Sequence, residues 1–239
     1  MRGMIVAALW AVLTVAASAQ DCVVVSWAME SVEDGVLYEV NDDVDRAHFY
    51  KSDSEDAGCP FQRDCRRRGF VVGGDSVMVV ASDERFACAL YVGGPPKYAM
   101  TAGWIETALL SERRPRDYDA EDFLGRWGYG EFHEIEITDA TDGMVHISGE
   151  ALFGAEDPER LARGAVNLGS LDSFVPEDDS EIAFTIDWDG MVQEYAYGEP
   201  GDNLCRVRMH RDGPYLVVQD NHRCGGMNVT FTGLYRRGN

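Results

Sequence analysis

Histidines close to acidic residues are the first candidates for chemistry in this sequence. The chain has five of them: His48, His133, His146, His210 and His222. His133 and His146 fall on neighbouring predicted strands and could share a cavity with an acid such as Glu131 or Glu150. A histidine and a carboxylate placed in that way could serve as general base and acid in a hydrolysis. An inward-facing histidine is more often a hydrogen-bonded member of the core, and we favour that interpretation.

The six cysteines predict disulfides rather than a metal site. Cys205 and Cys224 lie on either side of a strand–turn–strand pattern, and we expect them to pair. A closed loop of that size stabilises a fold by roughly 3 kcal/mol on the chain-entropy estimate. The other four allow three connectivities: Cys22, Cys59, Cys65 and Cys88. A zinc site would need clustered Cys and His, and Cys59 and Cys65 with His48 have poor spacing for one.

Motifs that carry catalysis or bind metals are missing from the sequence. His133-Glu134 is not followed by the second histidine of His-Glu-x-x-His, and neither a Gly-x-Ser-x-Gly elbow nor a phosphate loop occurs. The Asp-rich stretches 139–143 and 187–190 are too short for a calcium-binding loop. We therefore predict no catalytic residue, no metal ion and no cofactor, and we expect a protein that is not an enzyme.

The stretch 220–231 is the densest unusual segment of the chain, and its last residues overlap the predicted strand 229–235. Its candidate ligand contacts are polar: Asn221, His222, Arg223 and Asn228. The alternative is a structural turn, since Asp and Asn bond to nearby backbone, two consecutive glycines permit positive φ, and a bridged Cys224 would fix the loop. We favour the turn over a binding loop. Trp104 is a further candidate binding residue, as part of an exposed aromatic patch.

Composition limits the partners of the protein. The chain of 239 residues has 42 Asp and Glu against 21 Lys and Arg, a formal charge of -21. A nucleic acid held through its phosphates is therefore not expected, whereas a basic protein or a cationic envelope component would be attracted. Hydrophobic residues make up 45% of the chain, which is enough for a sizeable core and argues against disorder.

The first residues have the pattern of a secretory signal peptide. Arg2 precedes an apolar run over 4–15, and small residues follow up to Ala19, after which we expect cleavage. No later segment is apolar for long enough to span a membrane. The sequence therefore predicts a periplasmic or secreted protein, with residues 1–19 as the signal peptide.

The elements that would position these residues are predicted to be strands. Residues 111–122 are strongly charged and contain a proline, which indicates a linker between domains 20–110 and 123–239. Within 131–137, Ile135 and Ile137 alternate with glutamates, as in a strand with one wet face. Short apolar runs recur on both sides of the linker: 23–27, 36–40, 70–72, 77–81, 86–92 and 104–110, then 131–137, 144–148, 182–187, 192–197, 204–209, 215–219 and 229–235. We predict an all-β chain of two small antiparallel barrels.

Both halves resemble known families. The residues Gly74-Asp75-Ser76-Val77-Met78-Val79, Cys88-Ala89-Leu90-Tyr91 and Gly103-Trp104-Ile105 resemble the strands of bacterial SH3-like domains over about 22–110. That resemblance implies a binding role in an exported protein. In the second half, Gly125-Arg126-Trp127 with Arg236 and Arg237 is similar to lipocalin-like (calycin) barrels. There an arginine over the face of Trp127 would close one end of the barrel.

Three functions follow as expectations. The first is an exported, non-enzymatic interaction module whose acidic surface attracts a basic partner, for example as an inhibitor of lysozyme or another secreted hydrolase. The second is a carrier of a small apolar ligand, with a cavity in the C-terminal barrel lined by Phe132, Ile135, Tyr195, Tyr197 and Phe231. The third is a hydrolase that uses His133 or His146. Neither the ligand nor the oligomeric state follows from the sequence.

Overall fold

The chain is all-β in a computed structural model that describes residues 21–22, 31–114, 116–176, 180–187, 189–195 and 203–238. Within these ranges sixteen strands form two sheets in which neighbouring strands run antiparallel. The all-β class predicted from the sequence is confirmed. The predicted signal peptide 1–19 and the predicted strand 23–27 lie outside the described residues.

The first sheet has seven strands in the order β3-β2-β6-β5-β4-β1-β7. Their bounds are β1 (Val36–Val40), β2 (Ala47–Tyr50), β3 (Arg66–Val71), β4 (Ser76–Ser82), β5 (Phe86–Val92), β6 (Met100–Glu106) and β7 (Leu110–Glu112). The sequence predicted a closed barrel here, but the two end strands, β3 and β7, are not paired with each other among the described residues. The physical reason is the length of β7, which has three residues and pairs only with β1 before the chain enters the linker.

The second sheet has nine strands in the order β11-β10-β9-β8-β16-β15-β14-β12-β13 and forms a nearly closed barrel. The strands are β8 (Gly125–Tyr129), β9 (His133–Asp139), β10 (Met144–Phe153), β11 (Asn167–Pro176), β12 (Glu181–Ile186), β13 (Val192–Glu194), β14 (Cys205–Asp212), β15 (Tyr215–Asp220) and β16 (Gly233–Arg237). A short helix, α1 (Pro158–Ala162), begins at the N-cap Asp157, whose carboxylate accepts hydrogen bonds from two backbone N–H groups.

Side chains fill the interior of the barrel. The inward-facing residues pack into one cluster that includes the fully buried Phe123, Trp127, Ile135, Phe231 and Tyr235. Alternation places this cluster on one face of each strand, so that Ile135 and Ile137 point inward while Glu134 and Glu136 point outward.

A separate apolar cluster lies between the two sheets. Leu37, Met78 and Leu90 of the first sheet pack there against Tyr215 and Val217 of β15. The Tyr215 hydroxyl donates a hydrogen bond to the backbone oxygen of Ser76. The first four residues of β15, 215–218, are consequently buried on both faces, which explains why all four are apolar or aromatic. The sequence predicted two separate barrels, whereas the structure joins the two sheets through a shared apolar interior.

The linker covers one end of the barrel. The Nε1 of Trp127 donates to the backbone oxygen of Phe123 at 2.8 Å, and the guanidinium carbon of Arg237 lies 5.4 Å from the centroid of the Trp127 ring. Arg211 comes closer to this ring, at 4.5 Å, and its Nη1 donates to the backbone oxygen of Asp122 in the linker. Arg236 takes no part in this closure, because its Nη1 donates to the backbone oxygen of Val92 in the first sheet at 2.8 Å.

Three disulfides crosslink the chain: Cys22–Cys88, Cys59–Cys65 and Cys205–Cys224. The third is the pair expected from the sequence, and the first two select one of the three connectivities left open. Three disulfides are typical of an oxidising environment outside the cytoplasm. Among the described residues, no helix combines the length and apolar character needed to cross a bilayer.

Candidate functional site

Trp104 lies in the core rather than in an exposed aromatic patch. Its side chain is 6% exposed and packs with Phe86 and the Cys22–Cys88 disulfide. The prediction of an exposed Trp104 is wrong, because the Cys22–Cys88 disulfide and Phe86 cover this face of the strand. Its ring therefore offers almost no surface to a partner.

The loop 221–232 is organised mainly by hydrogen bonds to Asp220. The buried carboxylate of Asp220 accepts from the hydroxyls of Thr230 and Thr232 and from the backbone N–H of Phe231 at 3.1 Å. The Asn221 side chain is also structural, since it accepts from the backbone N–H of Arg206 at 3.1 Å and donates to the oxygen of Leu204 at 2.8 Å. The remaining candidates, His222, Arg223 and Asn228, are exposed. They lie in the loop between β15 and β16, whereas Trp104 is buried in the first sheet and Asn221 is engaged by backbone, so the five candidates form no common site.

The two histidines considered for hydrolysis lie on opposite faces of the sheet. His133 is on the inner face with Ile135 and packs against Tyr129, with 4.8 Å between ring centroids and the rings tilted by 37°. Burial lowers the pKa of His133 from 6.5 to about 4, which keeps the imidazole neutral. His146 is on the outer face, where its Nε2 lies 2.7 Å from Oδ1 of Asp172 on β11. The acid partner is thus neither of the two that the sequence suggested.

The strongest candidate site is a groove of about 590 Å³ on the outer face of β9, β10 and β11. We call it the acidic groove, because five carboxylates line it: Glu131, Glu134, Glu136, Glu150 and Asp172. Its wall on one side is Pro96 and Tyr98 from the loop between β5 and β6 of the first sheet. The groove therefore depends on the contact between the sheets.

The register of the strands brings like charges together in the acidic groove. Glu134 of β9 lies directly opposite Glu150 of β10, and Glu136 lies opposite Ser148. Arg126 of β8 approaches two of these carboxylates, at 3.3 Å from Glu134 and 3.7 Å from Glu136. Within the described part of the chain, no cation lies at ion-pair distance from Glu150 or Glu131. Like charges directly across a strand pair are destabilising, so this arrangement does not serve the stability of the sheet.

Exposed apolar side chains lie on either side of Asp172 along β11. Phe174 is 57% exposed and Leu168 is 54% exposed, and both point outward with Asp172 between them. The ring of His146 stacks on Phe174 at 4.6 Å between centroids. Negative charge beside exposed apolar surface fits a cationic partner with apolar side chains of its own.

The sequence predicts only part of the acidic groove. Glu134 and Glu136 were assigned to the wet face of β9, but the pairing of Glu134 with Glu150 requires the register of β10. The strand β11 was not predicted at all. Without it, Asp172 and Phe174 could not be placed beside His146.

A comparison of the chain with protein-family models, with curated proteins and with solved structures finds no significant match. Functional conclusions therefore depend on the chemistry of the described residues.

Proposed function

We propose that this chain is an exported, non-enzymatic binding protein that recognises a basic protein or a cationic envelope component through the acidic groove. The observation that carries the proposal is the cross-strand pair of Glu134 and Glu150, in which Glu150 has no cationic partner among the described residues. A directly opposed like-charge pair destabilises the strand pairing. A bound lysine or arginine would relieve that repulsion.

The surroundings of the pair support a protein partner. Five carboxylates along one groove would attract a cationic surface over distances of about a Debye length, roughly 8 Å at physiological ionic strength. The exposed Phe174 and Leu168 would then add apolar contact. An inhibitor of a basic secreted hydrolase such as lysozyme is a concrete version of this role.

The test is a calorimetric titration of the protein with a basic lysozyme and with an oligolysine peptide at low and high salt. We expect binding at low salt that weakens as salt increases, and a loss of about tenfold in affinity for the variant Glu134→Gln/Glu150→Gln. The matched control is Asp42→Asn/Asp43→Asn, which removes two exposed carboxylates that do not line the groove. Absence of binding to lysozyme alone excludes the lysozyme version. Absence of binding to both probes, or equal binding by the two variants, overturns the proposal.

The carrier hypothesis has less support from the structure. Of its five expected lining residues, Ile135 and Phe231 are fully buried in the packed interior and Phe132 lines the acidic groove instead. Tyr195 lines a different groove, near β12 and β13, and Tyr197 lies outside the described residues. These residues do not enclose one cavity.

The hydrolase hypothesis has one observation in its favour, the bonded pair of His146 and Asp172 in the acidic groove. The rates at which His146→Gln and the exposed-histidine control His222→Gln hydrolyse p-nitrophenyl acetate distinguish the hydrolase hypothesis from our proposal. A non-enzymatic protein gives equal, low rates for both variants. A rate lost only in His146→Gln would instead assign a catalytic role to the pair.

We further propose that the first sheet is SH3-like and the barrel calycin-like. The support is the Trp127 ring beneath Arg237 at one end of a nearly closed antiparallel barrel. For the first sheet it is the strand pairing of β4, β5 and β6, which contain the residues that carry the resemblance.

A further inference from the structure

A second concave site has the opposite charge to the acidic groove. It is a pocket of about 370 Å³ at the junction of the two sheets. We call it the arginine pocket, because five arginines line it: Arg113, Arg116, Arg211, Arg236 and Arg237. Two carboxylates, Asp75 and Asp122, also line it, so the pocket has three more positive than negative formal charges in a chain whose net charge is -21.

Three of these guanidinium groups have no carboxylate partner within the described ranges. Arg211 donates to the backbone oxygens of Tyr215 at 3.1 Å and Gly213 at 2.7 Å, as well as to that of Asp122. Arg236 and Arg237 also donate to backbone oxygens, those of Val92 and Leu124. The carbonyl groups fix the position of each guanidinium without neutralising its charge.

The same guanidinium groups also lie over aromatic rings. The guanidinium carbon of Arg211 lies 4.5 Å from the centroid of Trp127 and 5.0 Å from that of Tyr118, and Arg236 lies 5.4 Å from that of Tyr91. These contacts limit the rotamers of the side chains, so little conformational entropy remains to be lost when a ligand binds.

The two carboxylates of the pocket are already engaged. Asp75 accepts a hydrogen bond from the backbone N–H of Val72 at 2.9 Å, and Asp122 lies 3.3 Å from Nη2 of Arg116. Burial is the main cause that lowers the pKa of Arg211 to about 10; Arg237 and Arg116 lower it further, whereas Tyr118 and Asp122 raise it. With five arginines and two carboxylates, the lining keeps an excess of positive charge that an anion would offset.

We propose that the arginine pocket binds a small polyanion with phosphate or carboxylate groups, such as a diphosphate. Guanidinium groups form paired hydrogen bonds to both kinds of oxyanion, and several converge here from the linker and from β14 and β16 of the second sheet. This site is separate from the acidic groove and independent of the proposed function. Arg113 directly follows β7, and its backbone N–H donates to the oxygen of Leu37 in β1, so an anion bound by Arg113 and by the arginines of β14 and β16 would also link the two sheets.

The test is calorimetric titration and thermal unfolding of the full-length protein with pyrophosphate and with citrate at constant ionic strength. We expect a dissociation constant below about 1 mM and an increase in Tm with ligand concentration. The variant Arg113→Gln/Arg116→Gln, whose positions are about half exposed, should bind at least about tenfold more weakly. The control Arg63→Gln/Arg68→Gln removes two exposed arginines outside the pocket and should bind within about twofold of the wild type.

Circular dichroism without ligand shows whether the variants fold. If the glutamine variant does not fold, Arg113→Lys/Arg116→Lys replaces it in the test, because this variant keeps both positive charges. We expect the lysine variant to bind with intermediate affinity, because lysine lacks the paired donors. Absence of binding of either anion at about 10 mM, or equal weakening by the pocket and control variants, overturns the proposal.

Sedimentation with vesicles of phosphatidylglycerol, compared with neutral vesicles, distinguishes the source of the anion. Binding to anionic vesicles that pyrophosphate displaces identifies a lipid headgroup, and binding of pyrophosphate without vesicle binding identifies a soluble anion. Glu134→Gln/Glu150→Gln should bind pyrophosphate like the wild type. A negative binding result for the acidic groove can therefore be distinguished from a negative binding result for the arginine pocket.

Discussion

His133 shows how burial determines the role of a single side chain. Its ring packs against Tyr129, which in turn contacts the buried Tyr235 at 5.6 Å between centroids. Desolvation lowers its pKa to about 4, and the negative charge of Asp220 only partly offsets that effect. The half-buried imidazole is therefore neutral at pH 7, although it also lines the acidic groove.

The stability of the protein should decrease in acid partly because of this residue. The unfolded chain binds a proton at His133 near pH 6.5 and the folded chain only near pH 4, so stability decreases as the pH falls between these values. From pH 7.5 to pH 5 the contribution is about 2 kcal/mol. Urea unfolding at both pH values should show a smaller loss for His133→Phe than for the wild type. An equal loss in both proteins would contradict the burial of this histidine.

At the scale of elements, the loop 221–232 fastens the edge strand β11 to the rest of the barrel. The backbone N–H of Gly226 donates to the oxygen of Leu168 at 3.0 Å, and Gly169 and Gly225 form an isolated antiparallel bridge. A Cβ at Gly169 would lie 2.7 Å from the backbone oxygen of Cys224 and 2.7 Å from Cγ1 of Val229. Only glycine permits this close approach.

The variant Gly169→Ala should therefore be less stable by about 1 to 3 kcal/mol, as is usual for overpacking. Gly94→Ala is the matched control, since a Cβ at Gly94 has no heavy atom within 4 Å. Chemical denaturation measures both. If the two substitutions had the same effect, the loop would not hold β11 in the way described.

Much of the strand pattern could be predicted from the sequence, and the exceptions have physical causes. The bounds of β1 and β5 agree with apolar runs, because β5 is almost entirely buried and β1 buries Leu37 and Val40. Strand β11 was missed because Gly169 and Ser173 occupy inward positions where apolar residues would reveal alternation. The last strand begins at Gly233 rather than at 229, because Asp220 holds residues 230–232 in a bend. The acidic groove requires the registers of three strands, and these depend on long-range pairing.

At the scale of the whole molecule, the apolar cluster between the sheets should make them unfold together. It contains Tyr215, Val217 and Leu234 from the barrel and residues of β1, β4, β5 and β6 from the first sheet. The hydrogen bonds from Tyr215 to Ser76 and from Arg236 to Val92 cross the same interface. Neither sheet keeps its full core without the other.

We expect one transition in differential scanning calorimetry, with equal calorimetric and van't Hoff enthalpies. Leu234→Ala should lower stability by about 2 to 5 kcal/mol and reduce hydrogen-exchange protection in both sheets. Two resolved transitions, or a loss of protection confined to the barrel, would show that the sheets are independent.

The position of β16 has a consequence for the order in which the molecule can be assembled. This strand follows the other eight strands of its sheet along the chain, yet it pairs with β8 on one side and β15 on the other. While the chain is synthesised from its N-terminus, β8 and β15 therefore each keep an unpaired edge until β16 has been made. The nine-stranded barrel can take its final form only after that step, so its folding is expected to follow the synthesis of β16 rather than to proceed strand by strand.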